Sequence, residues 1–258
     1  MIILLLILAG AVPRTPLPQY PVRWTRAVGP PSRQALKAQL RQPVKKPRSQ
    51  KIYEHTEAQR EIRTCIDYAS ARRDGWSDSA NTYERSTGSF FRDQCDVALL
   101  VLAAKPSRTS YLHNFKLNEA GLNLLPPSLS WAVSNDEEEA VAEAERKGLS
   151  WKSFNPALKV LEKGANSITV DEDGDRITLE IKAFGDFNGD GIEDVLLFKS
   201  CSATEGTMRE YEPVVLTRVT AQGPLKAYQV EDKDIDKIAA TFMHTAAVGA
   251  KNEARPEQ

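Results

Sequence analysis

Nine consecutive residues concentrate the chemistry of this 258-residue chain: Asp186, Phe187, Asn188, Gly189, Asp190, Gly191, Ile192, Glu193 and Asp194. With Asp186 as position 1, side-chain oxygens recur at positions 1, 3 and 5, and Asp194 follows at position 9. Ile192, at position 7, offers a backbone carbonyl. Gly191 stands at position 6, where a loop wrapping a cation must turn sharply. Calcium takes about six to eight hard oxygen ligands in flexible geometry, and this spacing wraps oxygens around one point. Asp186, Asp190, Glu193 and Asp194 repel one another without a cation, and Glu193 is expected to point away from the others. The competing reading is a hydrophilic turn between two strands.

An EF-hand closes its site with a bidentate Glu at position 12. Position 12 here is Leu197, inside an apolar run, so the loop is not an EF-hand. The stretch from Phe184 to Phe198, FGDFNGDGIEDVLLF, instead resembles the FG-GAP/VCBS calcium loop of integrin-type β-propellers and bacterial surface proteins. The resemblance implies calcium as the cofactor. Its ligands would be side-chain oxygens of Asp186, Asn188, Asp190 and Asp194 and the carbonyl of Ile192. A propeller needs many such repeats and this chain has one, so neither the propeller fold nor an adhesion role follows. The C-terminal half is also similar to domains of exported bacterial proteins that carry a single loop of this kind.

Other chemistry is sparse. His55, His113 and His244 are scattered and form no HExxH spacing. No GxSxG elbow, Walker loop or dinucleotide fingerprint is present. Cys201, followed by Ser-Ala-Thr-Glu-Gly, is expected in a polar loop and reads as a half-buried bystander thiol. Trp76, Trp131 and Trp151 read as core or rim packing rather than a sugar-binding groove.

The elements that must position the loop follow from period and punctuation. Residues 1–12 are almost purely apolar and end in Ala9-Gly10-Ala11, the pattern of a secretory signal peptide. About 12 helical residues rise only about 18 Å, too short to span a bilayer. Residues 13–53 carry eight of the fifteen prolines, and residues 1–53 carry ten Lys or Arg and no acid. The first 53 residues are therefore +10 and the remainder -11. That composition predicts a basic, extended linker over 13–53, with a short helix around 32–41.

Ile62, Cys65, Ile66 and Ala69 share one helical face, and a second helical stretch over 79–104 ends at Lys105-Pro106. The two helices carry one cysteine each, so Cys65 and Cys95 are the candidate disulfide in an oxidising compartment. Ser134 and Glu137 form a capping box at the head of another helix. From Ser167 the period becomes two, with a hairpin turning at Asp173-Gly174. Strands follow at 195–198, 212–219 and 226–230, then a closing helix at 234–247.

The expected fold class is α+β. A helical part over 54–150 packs with an antiparallel β-rich part over 151–248 that holds the calcium loop, and 249–258 is a polar tail. The expected function is an exported, periplasmic or secreted calcium-binding protein, non-enzymatic, with an unidentified macromolecular partner in the cell envelope. The apolar N-terminal segment is an alternative means of membrane attachment. The basic arm suits an anionic membrane surface. Nucleic acid is not an expected partner, because no base-reading motif accompanies the charge. The alternatives are a hydrolase acting on cell-wall or carbohydrate substrates and, more weakly, an immunity or inhibitor protein.

Overall fold

The computed structural model describes residues 19–44, 50–53, 59–76, 91–231 and 233–242. The apolar segment 1–12 and the tail 249–258 lie outside the described residues. Among the described residues, seven helices and a seven-stranded antiparallel sheet make the chain α+β.

The sheet is built by local pairing. Strand β4 (Lys159–Lys163), β5 (Ser167–Glu172), β6 (Asp175–Gly185), β7 (Asp194–Ala203), β8 (Arg209–Thr217) and β9 (Lys226–Gln229) lie side by side in chain order. Neighbours in sequence are neighbours in space, so each connection is a hairpin. The β5–β6 turn is Asp173-Gly174, with φ of 54° and 94°, the left-handed pair that a two-residue hairpin requires. A seventh strand, β1 (Arg23–Trp24), comes from the N-terminal arm and pairs with the end of β6, Arg23 opposite Phe184.

Both sheet faces are buried. Ala183, Leu196, Phe198 and Val215 face one core, with α1 (Arg33–Gln39), α2 (Cys65–Arg73), a π-helical turn (Arg92–Asp96), α3 (Val97–Ala103) and a C-terminal helix over 233–242. Val195, Leu197, Ile177 and Leu179 face a second core, closed by the 112–158 segment. That segment holds α4 (Glu119–Leu122), α5 (Asn135–Arg146) and α6 (Trp151–Phe154). Trp151 is fully buried and Trp131 nearly so, which makes both packing residues. Helix α5 starts on the expected capping box: Glu137 N–H donates to Ser134 Oγ, and Ser134 N–H to Glu137 Oε2.

Three local expectations are corrected. The arm folds over 19–44 rather than running as an extended linker. Val28, Leu36 and Leu40 enter the first core, and Ser32 caps α1. Ile62 ends a strand, β3 (Gln59–Ile62), that pairs with β2 (Gln50–Tyr53), and helix α2 begins only at Cys65. Thr64 and Asp67 form a capping box there, which sets the boundary. Cys201 is in β7 rather than a polar loop, and 1% exposed. The disulfide between Cys65 and Cys95 is formed and joins the first turn of α2 to the π-helical turn. No helix among the described residues is long and apolar enough to cross a membrane.

Candidate metal centre

The loop joins β6 to β7, so its ends are fixed by the two central strands. Its root is tight: a Cβ on Gly185 would meet Val22 Cγ2 at 3.2 Å and Ala104 Cβ at 3.4 Å. Gly189 and Gly191 take φ of 87° and 83°, the left-handed turns that coil the chain back on itself. The segment after α3 lies along the loop. Lys105 and Asp186 exchange backbone hydrogen bonds at 3.0 and 2.9 Å, and Arg108 N–H donates to Gly191 O at 2.7 Å.

Asp186 and Asp194 are buried at the base, Asn188 and Asp190 are exposed at the tip, and Ile192 is half-buried between them. Most side-chain oxygens are turned onto the loop's own amides. Asp186 Oδ1 and Oδ2 accept from Gly189 and Gly191 at 2.6 and 3.0 Å. Asn188 Oδ1 accepts from Asp190 N–H at 2.9 Å, and Asp190 Oδ1 from Ile192 N–H at 2.7 Å. Asp194 Oδ2 accepts from Phe187 N–H at 2.9 Å. One oxygen is left over: Asp194 Oδ1 is buried with no hydrogen-bond partner.

Burial pushes the Asp194 carboxyl up to about 6, against the pull of the Phe187 amide, and the charges of Asp190 and Asp186 add to the rise. The Thr217 hydroxyl beside it, like the Phe187 amide, favours the ionised form.

The fourth acid faces elsewhere. Glu193 is fully buried, paired with Arg23 and accepting from Ser110 Oγ at 2.6 Å. Among the described residues no group of three or more His, Cys, Asp or Glu side chains stands arranged to hold a metal. The loop thus carries hard oxygen donors, a backbone coiled at two glycines and a buried carboxylate oxygen with no partner. The donors are held by amides rather than converged on one point.

The remaining candidates are weaker. A cleft of about 340 Å³ opens beside Leu36, Val44 and Cys65. A second, of about 330 Å³, lies between Trp131, Phe154 and Glu172. Three of the carboxylates lining that second cleft already serve the fold. Glu137 caps α5, Glu172 accepts from Trp131 N–H and Trp151 Nε1–H, and Asp173 accepts from Asn155 Nδ2–H. His113 is exposed beside Arg218 at a third cleft, and His55 and His244 lie outside the described residues. Burial raises the Cys201 thiol to about 12, against the pull of Lys199.

Fold and site together define an α+β protein with one acidic, glycine-turned loop between its central strands. Comparison with known proteins gives no match to a protein-family model, a curated protein or a solved structure.

Proposed function

We propose that this chain is an exported calcium-binding protein of the cell envelope, a non-enzymatic module that engages another macromolecule. The observation that carries the metal reading is the buried, unpartnered Asp194 Oδ1 at the base of a loop whose other oxygens recur at calcium spacing. Asp186, Asn188, Asp190 and Asp194 would hold the ion with the Ile192 carbonyl. Bound calcium would supply positive charge that relieves carboxylate repulsion. The chain's own residues do the rest: Phe187, Gly189 and Gly191 amides orient the carboxylates, and segment 105–109 braces the loop from outside.

Three of the four carboxylates lining the Trp131 cleft, Glu137, Glu172 and Asp173, are tied to the fold. The disulfide supports an oxidising compartment. Attraction of the arm to anionic lipid remains part of this reading in reduced form, since several of its cations serve the fold. Arg23 pairs with Glu193, Arg33 donates to Leu102 and Ala104 carbonyls, and Lys37 lies 5.6 Å from the Phe242 ring.

Calorimetric titration of the full chain with calcium tests this reading. The expected result is saturable binding with a dissociation constant of about 0.1–1 mM, lost in Asp190→Ala, and a higher melting temperature in calcium than in chelator. No heat and no melting shift at millimolar calcium would reduce the loop to a turn.

A further inference from the structure

We propose that the cleft between Tyr111, Phe115, Leu124 and Arg218 binds a small carboxylic acid with an apolar body, its carboxylate held by Arg218. The inference goes beyond the calcium reading and does not depend on it. The cleft has a volume of about 290 Å³, close to the lower end of small-molecule sites, about 300 Å³. Three chain segments wall it, and each is braced by backbone hydrogen bonds. Phe115 N–H donates to Leu112 O at 2.9 Å, and Leu124 N–H to Gly121 O at 2.8 Å. Gly223 N–H donates to Thr220 O at 3.2 Å within the β8–β9 turn, and Leu225 N–H ties that turn to Leu124 O at 3.3 Å. Leu112 and Leu225 are buried in the second core, Phe115 is half-buried against it, and Leu124 is 37% exposed at the rim. The walls therefore stand before any ligand arrives, as they do in most small-molecule sites.

Charge decides what such a cleft takes. Arg218 and His113 line it and no Asp or Glu does, although residues 54–258 carry a net charge of -11. Arg218 is half-buried. Its Nε–H donates to Gly223 O at 2.8 Å, and Nη1 lies 3.5 Å from Tyr111 O. Carbonyls of two different segments thus fix the plane of the guanidinium. Among the described residues no carboxylate pairs with it. A guanidinium has five N–H donors, so most of them stay available to a guest. Its planar fork matches a carboxylate through two parallel hydrogen bonds. A neutral apolar guest would use the walls and leave the fork idle, and a cation would be repelled by Arg218. A carboxylate on an apolar body satisfies both. Closing the β8–β9 turn gives Arg218 a part in the fold as well, but that bond leaves its charge uncompensated.

The test is calorimetric titration of the full chain with phenylacetate and hexanoate, each beside its neutral amide, joined to mapping of backbone amide chemical shifts. At least one acid is expected to bind saturably at millimolar concentration, about tenfold or more tighter than its amide. The shifts should concentrate in residues 111–115 and 218–225. Arg218→Met is expected to weaken the acid about 10–100-fold and to leave the amide nearly unchanged. Leu124→Asp puts a like charge at the exposed rim and should weaken the acid more than Leu124→Asn, which removes the same apolar contact without the charge. Equal affinity for acid and amide overturns the inference, as does an unchanged acid affinity in folded Arg218→Met. Shifts mapped elsewhere, or no binding of either acid at millimolar concentration, overturn it too. Should Arg218→Met fail to fold, the two Leu124 variants carry the comparison, and equal losses in them overturn the inference.

Discussion

At the scale of single residues, the loop shows how spacing was readable and orientation was not. Asp186, Asn188, Asp190 and Asp194 are legible as oxygen donors because their separation is a property of the sequence. Their present engagement with Gly189, Gly191 and Phe187 amides depends on loop geometry that no spacing states. Glu193 was legible as the odd acid, but its partners Arg23 and Ser110 come from distant segments. Cys201 illustrates the opposite failure: a polar stretch follows it, yet its side chain points into the second core. Its thiol, ordinarily near 9, is raised by burial to about 12. The sign is plain. The native state keeps its proton where the unfolded chain loses it, so this group weakens stability as pH rises from about 9 toward 12 and has no effect below. The thiolate is the nucleophile, so the native protein is expected to resist iodoacetamide at pH 8 and to react at Cys201 once denatured. Labelling of Cys201 in the native state at the rate of a free thiol would refute the burial argument.

At the scale of elements, the sheet and most helices were readable because their period and punctuation are local. The β5–β6 hairpin, the α5 capping box and the Lys105-Pro106 stop each need only a few adjacent residues. In the arm the short helix near 32–41 is legible and forms as α1, while the packing of the arm is not, because its anchors are long-range. Two residues of β1 pair with β6, and Val28, Leu36 and Leu40 find their partners in helices and strands far along the chain. Proline content and net charge describe an unfolded segment well and say nothing of a few well-placed apolar side chains. Phase misled at Ile62, which is buried as expected but lies in β3.

The folded arm has a testable dependence on the loop. Arg23 stacks 4.2 Å from the Phe184 ring centroid and pairs with the buried Glu193. Arg23→Ala leaves that carboxylate with Ser110 as its remaining side-chain donor. Because the Arg23 side chain is 46% exposed, solvent screens the pair, and a cost of about 1 kcal/mol is expected. Hydrogen exchange should then accelerate at Tyr20 and Thr25, whose amides donate to Ser107 and Lys182 carbonyls. The double variant Arg23→Ala/Glu193→Gln should recover part of the loss. Unchanged exchange at both amides in Arg23→Ala would show that backbone pairing alone holds the arm.

At the scale of the whole molecule, the helical layer is joined to itself and to the sheet by covalent and ionic ties as well as by the core. The disulfide closes a 30-residue separation, worth roughly 3–4 kcal/mol in the chain-entropy model. Lys182, 2% exposed on β6, pairs with Asp93 of the π-helical turn at 2.6 Å and with Glu180 at 2.9 Å. Arg72 links three elements. Its guanidinium on α2 reaches Asp96 of the π-helical turn at 3.0 Å and Asp236 of the C-terminal helix at 3.2 Å. The two partners differ in burial, with side-chain exposures of 1% for Asp96 and 28% for Asp236. That difference decides where the energy lies. Loss of a buried ion pair costs more than loss of a partly solvated one, which contributes about 1 kcal/mol or less. Arg72→Ala is therefore expected to lower urea stability by more than Asp236→Ala, and Asp236→Ala by no more than about 1 kcal/mol. Replacing the buried pair together, as Arg72→Met/Asp96→Leu, should restore much of the loss, because apolar residues of similar volume leave no buried charge to desolvate. Similar losses for Arg72→Ala and Asp236→Ala would place the energy in the solvated link to the C-terminal helix. A double variant no better than Arg72→Ala would mean that the ion pair's geometry, rather than the cost of desolvating buried charge, decides how the helical layer holds together.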